Sequence, residues 1–124
     1  MSSFTDPLEV RKITKGKNKG KWQTTRQFTY YVGEEGSDDK IVVPKGTVTD
    51  FASVPRIFWV ILPPDGIYSQ AAVLHDYLYR HRLRSRKESD DIFLEAMKVL
   101  GVAWWKRQVM HKALRGFGWW AYHT

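Results

Sequence analysis

Between Tyr68 and Met97 the apolar positions recur at intervals of three and four, the period of an α-helix, in two blocks separated by a short basic turn. In the second block the positions three, four and seven residues after Asp90 are Phe93, Leu94 and Met97, all apolar. The same positions after Asp91 are Leu94, Glu95 and Lys98, mostly polar. Asp90 is therefore expected to face the core and Asp91 to face water. An ionised carboxylate buried without a partner is costly enough to neutralise instead, so Asp90 calls for a donor. In the first block His75 shares a face with Ala71, Ala72, Leu78 and Tyr79. The imidazole and the carboxylate are expected to meet where two adjacent antiparallel helices pack.

The helix ends follow from local chemistry. Ser85-Arg86-Lys87-Glu88 has the form of a capping box, which starts the second helix near Arg86. Gly101 after Leu100 fits its C-terminal stop. Pro63-Pro64-Asp65-Gly66 reads as a turn before the first helix.

The first half follows another period. Residues 1–6 read as a loose terminus, and Leu8 to Thr14 alternates weakly as a first strand. Lys15 to Lys21, KGKNKGK, has the glycine and asparagine content of a hairpin tip. Trp22 to Val32 is rich in Thr, Tyr and Phe and reads as one strand. A polar turn, Gly33 to Asp39, leads to the strand Lys40 to Pro44. Strand–turn–strand order predicts antiparallel pairing. The expected fold is one α+β domain over residues 1–124, a small antiparallel sheet from the N-terminal half packed by about three helices from the C-terminal half.

Two further segments complete the chain. Thr49-Asp50 and Ser53 can cap or turn the chain as it leaves the sheet, and Pro55 suits the first turn of a short apolar helix, Arg56 to Leu62. Val102 to Tyr122 reads as an amphipathic helix. Trp105, Val109 and Lys112 fall on one line of it, Ala103, Met110, Ala113, Leu114 and Phe117 mainly on another, and Lys106, Arg107, Lys112 and Arg115 outside. Gly116 and Gly118 are expected to end or loosen this helix. The aromatic tail with Trp119 and Trp120 either folds back over the sheet or forms a docking patch.

Composition narrows the picture. The 124 residues carry a formal net charge of +7, which favours acidic partners. No helix-turn-helix, zinc-finger or RNA-recognition pattern accompanies the charge, so nucleic acid is not an expected partner. The chain has no cysteine, which removes disulfides and thiolate metal sites. No signal peptide and no transmembrane segment are expected from its hydropathy. From Val10 to Gly33 there is no acidic residue, while Lys15, Lys17, Lys19 and Lys21 stand in the finger. That finger is either a phosphate-binding element or a solvated hairpin turn.

The central pair admits definite chemistry. A histidine fixed by a carboxylate is the commonest general base near neutral pH. Asp76, next to His75, can hold a hard cation such as calcium or zinc, with Asp50 as a second carboxylate ligand. Ser53 is a lesser candidate, as a nucleophile that would need His75 in reach. Equally, His75, Asp90 and Asp50 can form a satisfied polar network with no catalytic role.

Two resemblances attach to these residues. TDFASVPR (49–56), AAVLHDYLY (71–79) and SRKESDDIFLEAMKVLGV (85–102) resemble a family of small uncharacterised proteins of tailed bacteriophages and prophages, catalogued as a domain of unknown function. That resemblance implies a phage origin and no particular activity. AAVLHDYLY followed by Ser89-Asp90-Asp91-Ile92-Phe93 is also similar to the active-site helices of phospholipase A2 domains, most closely the variant in parvovirus capsids. This implies His75 as general base on water, Asp90 orienting its ring, Asp76 binding calcium and Tyr79 hydrogen-bonded to the dyad. The chain departs from that pattern upstream, where Pro63 to Tyr68 holds one glycine in place of a glycine-rich calcium loop. The expected function is a phage-encoded, metal-assisted hydrolase of an envelope component, phospholipid or peptidoglycan. The alternative is a non-enzymatic virion component, a tail or tail-tip part, whose basic finger and Trp119–Trp120 tail are contact surfaces. Expected partners are other virion proteins or a host envelope component, in the virion or the host cytoplasm.

Overall fold

The computed structural model describes residues 2–49 and 69–123, without the side chains of Leu114 and residues 117–123. The expectations for Asp50, Ser53, the helix 56–62 and the Pro63–Gly66 turn lie outside the described residues, as do those for the Trp119 and Trp120 side chains. The chain divides into two compact units, Met1–Asp50 and Phe51–Thr124.

The first unit is all β, and the second holds the helices, so the α+β class stands. The strands are β1 (Ser3–Phe4), β2 (Val10–Lys12), β3 (Trp22–Thr24), β4 (Phe28–Tyr31), β5 (Lys40–Val43) and β6 (Val48–Thr49). They form two three-stranded sheets, ordered β1-β4-β5 and β2-β3-β6, where one was expected. All pairs are antiparallel.

The expected single strand Trp22–Val32 divides because the chain bends at Thr25–Gln27. Arg26 in that bend ion-pairs with Asp6 at 2.9 Å and Glu9 at 3.1 Å, and the Thr25 amide donates to the Glu9 carbonyl. The N-terminus is also ordered. Ser3 pairs with Tyr31 and Phe4 with Tyr30, while the Gly33 amide donates to the buried Ser2 hydroxyl at 2.7 Å. Phe28, Tyr30, Ile41 and Val43 occupy alternate positions of β4 and β5, face each other as Phe28–Val43 and Tyr30–Ile41, and form the buried face of this unit. Phe4 covers the first of these pairs edge-on at Phe28, 5.8 Å between ring centres.

The second unit holds α1 (Ser69–His81), α2 (Arg86–Val99) and α3 (Trp104–His123). α2 packs against both of the others. Its ends match the local signals. Ser85 accepts from the Glu88 amide at 3.1 Å, and its hydroxyl donates to the Glu88 carboxylate at 3.2 Å. At the other end Gly101 takes φ +85°, its amide donates to the Lys98 carbonyl, and the Val102 amide donates to the Met97 carbonyl. This is the paired bonding of a Schellman stop, with buried Val102 and Met97 at the positions that accompany it.

α3 differs from expectation, because it continues through Gly116 and Gly118. A glycine within a helix costs only about 1 kcal/mol relative to alanine, which lowers helix stability without dictating a stop. The expected division of its sides holds in part: Met110 is buried and Trp105, Val109 and Lys112 are exposed, but Ala103 is exposed as well and Arg115 turns inward to Asp90.

Candidate functional site

α1 is buried on nearly all sides, from Gln70 through Asp76 and again at Leu78 and Tyr79. His75 and Tyr79 are four residues apart and so project from one side of it. Asp90, in the second turn of α2, meets both. His75 Nε2 lies 2.9 Å from Asp90 Oδ1, and the Tyr79 hydroxyl donates to the same oxygen. Arg115, reaching across from α3, donates from Nη1 to Asp90 Oδ2 at 3.2 Å. One carboxylate thus gathers donors from two other helices, and neither His75 nor Asp90 has any exposed surface.

These donors set its charge. Burial alone would raise the Asp90 carboxyl. The hydrogen bonds from His75 and Tyr79, the positive charge of His75 whenever its ring is protonated, and the Arg115 bond outweigh it and hold the group below the usual carboxylate range. An ionised carboxylate only accepts, so the 2.9 Å contact places the proton on His75 Nε2 and, in the neutral ring, the lone pair on Nδ1. Burial, followed by the hydrogen bond to Asp90 and its negative charge, pushes the Tyr79 phenol far up, so it remains a donor. The imidazole is flanked by Tyr79 at 4.1 Å and Phe93 at 4.8 Å between ring centres, which fixes its plane.

The other predicted residues are placed differently. Asp76 is buried and ion-paired with Arg80 Nε at 2.8 Å, one turn along α1. Asp50 and Ser53 lie outside the described residues. Among the described residues no cluster of three or more His, Cys, Asp or Glu side chains could hold a metal ion. The lysines of the finger belong to the β unit.

Two partners were not read from the sequence. Arg115 was assigned to the outer face of α3. Asp91 is indeed half-exposed, but it binds His111 Nε2 at 2.8 Å and Lys87 Nζ at 2.7 Å. The Lys87–Asp91 pair was legible from its i,i+4 spacing. The α3 partners were not, because they depend on how α3 lies across α2. His111 and Arg115 are themselves four apart, so one side of α3 holds both adjacent carboxylates of α2.

Burial opposes the charged form of Asp91 too, and its bonds to Lys87 and His111 outweigh that and lower its pKa. Both carboxyls are thus depressed in the folded state. Each contributes stability that is present above the ordinary carboxylate pKa of about 4 and is lost as pH falls through the folded value. Acid unfolding should therefore steepen below about pH 4. Asp90→Asn should flatten that limb, as followed by urea midpoints across an acid series.

A β unit followed in the chain by a helical unit built around a buried His–Asp–Tyr–Arg network is the class of protein these features define. The chain belongs to the family described as protein of unknown function (DUF1353), whose model matches residues 22–114. It is 37% identical over 78 residues to the uncharacterized protein y4jT of Sinorhizobium fredii (strain NBRC 101917 / NGR234). That alignment covers 61% of this chain and 23% of y4jT, so the chain spans under a quarter of that relative's length. No solved structure matches the chain.

Proposed function

We propose that this protein is a phage-encoded hydrolase of a cell-envelope component, phospholipid or peptidoglycan, with His75 as the general base. The supporting observation is the double acceptance at Asp90 Oδ1, from the His75 ring and the Tyr79 hydroxyl. A carboxylate held this way orients the imidazole and offsets the charge the ring acquires. Nδ1 would take a proton from water as the water oxygen bonds to a carbonyl or phosphoryl centre. The imidazolium would return that proton to the leaving group as the bond to it breaks. Phage origin rests on the three motifs set out above, and a virion or host-cytoplasmic location goes with it.

Metal assistance through Asp76 and Asp50 is a matter for the assay, since the described carboxylate faces Arg80. The purified chain should release fatty acid from phospholipid vesicles or soluble fragments from peptidoglycan. Each is assayed with calcium, with zinc and with a chelator. Absence of turnover under all of these conditions rejects the hydrolase.

Complete burial of His75 and Asp90 favours a second reading. In it the network only ties the helices together, and the protein is a non-enzymatic virion component, a tail or tail-tip part that meets other virion proteins or the host envelope. Mass spectrometry of purified particles decides whether the protein is in them. No helix among the described residues is long and apolar enough to cross a membrane.

A further inference from the structure

The basic finger between β2 and β3 is a closed structure. The Ile13 amide donates to the Lys21 carbonyl at 2.9 Å, and the Gly20 amide to the Ile13 carbonyl at 2.8 Å. Within the tip, the Lys19 amide donates to the Gly16 carbonyl and the Lys21 amide to the Asn18 carbonyl. Gly16 and Gly20 take φ +84° and +89°, a conformation side chains disfavour. Lysine side chains are thereby displayed on a defined backbone.

Two adjoining hollows lie at the base of this finger. One, of about 430 Å³, is lined by Arg11, Lys12, Lys15 and Lys17 together with Asn18 and Gln23. The other, of about 380 Å³, shares Arg11 and Gln23 and ends at Lys45 and Gly46. Arg11 donates to the Gln23 side chain at 3.2 Å, and Gln23 donates to the Gly46 carbonyl at 3.3 Å, joining the two. Among the described residues no Asp or Glu lines either hollow. Arg11, Lys12, Lys15, Lys17 and Lys45 are all exposed, and none is ion-paired among the described residues. Arg26, two residues beyond β3, bridges Asp6 and Glu9, so these two carboxylates serve the bend and not the groove.

Unpaired like charges repel one another, which disfavours the folded state unless an anion neutralises them. The cations run through two hollows, so the fitting anion is extended and repeats its charge. We propose that the finger and its groove bind the phosphodiester backbone of nucleic acid without regard to sequence. Phosphate contacts need no base-reading motif, which is consistent with the lack of one in the chain. A lipid surface fits less well. The exposed tip residues Lys15, Gly16, Lys17, Lys19 and Gly20 include nothing apolar to enter a bilayer, and the cations line concavities rather than a plane.

The test is fluorescence anisotropy of labelled oligothymidine and of a random-sequence duplex, titrated with the full chain at low and moderate salt. Wild type should bind at least one probe, with a log–log salt slope of roughly −3 to −4, as four or five phosphate contacts imply. Lys15→Glu with Lys17→Glu should weaken binding about tenfold or more at low salt. The neutral pair Lys15→Gln with Lys17→Gln should fall between, at unchanged Tm. Lys98→Glu with Lys112→Glu, an equal charge change on exposed helical positions, should stay within about threefold of wild type. The proposal is overturned if wild type binds neither probe, if the finger pairs bind like wild type, or if the helix pair loses as much. It is also overturned if the finger variants lose only binding to phosphatidylglycerol vesicles and oligonucleotide does not compete for that binding.

Discussion

Asp90→Ala is expected to lower the Tm by roughly 10–20 °C, the largest stability loss of any single substitution among the described residues of the helical unit. The carboxylate sits where donors from α1 and α3 converge on α2. Its removal leaves a buried imidazole and phenol without their acceptor and Arg115 without its counter-charge, on top of a small cavity. Breaking a buried, hydrogen-bonded ion pair by deleting one partner costs about 3–5 kcal/mol. Asp90→Asn keeps the shape and one acceptor oxygen, so its Tm should fall by clearly less. Circular dichroism melts of the three proteins check the order. Equal, small losses in both variants would show that the network contributes little to holding the helices together.

The second large effect concerns turnover. His75→Gln should lower hydrolysis by about 10²–10⁴-fold while the far-ultraviolet spectrum and Tm stay near wild type. Glutamine fits the space between Tyr79 and Phe93 and can still donate to Asp90, but it has no site that takes a proton near neutral pH. Loss of structure in this variant would argue for the network as a tie between helices. Retained turnover in a folded His75→Gln protein would move the base elsewhere.

Much of this site was legible from sequence because it depends on short-range rules. The start of α2 at Arg86 follows from Ser85 and Glu88, its stop from Gly101, and the inward aim of Asp90 from Phe93, Leu94 and Met97. His75 meets Asp90 because two short-linked helices pack antiparallel, which leaves little freedom. Arg115 and His111 were missed because their roles depend on the crossing of α3 over α2, which no local pattern encodes. The division of Trp22–Val32 was missed for a related reason. The bend is held by Arg26 against Asp6 and Glu9, residues that lie 20 and 17 positions earlier. The extension of α3 past Gly116 and Gly118 shows a weak helix penalty overridden, as single-residue propensities often are.

The geometry makes one statement about a proton that can be read directly. Long-range proton–nitrogen correlation spectra of the His75 ring, at neutral pH, report which nitrogen carries hydrogen. The His75–Asp90 contact predicts a pyrrole-like Nε2 and a pyridine-like Nδ1 in the neutral ring, with that preference weakened in Asp90→Asn. A ring protonated at Nδ1, or a tautomer balance unchanged by Asp90→Asn, would contradict it.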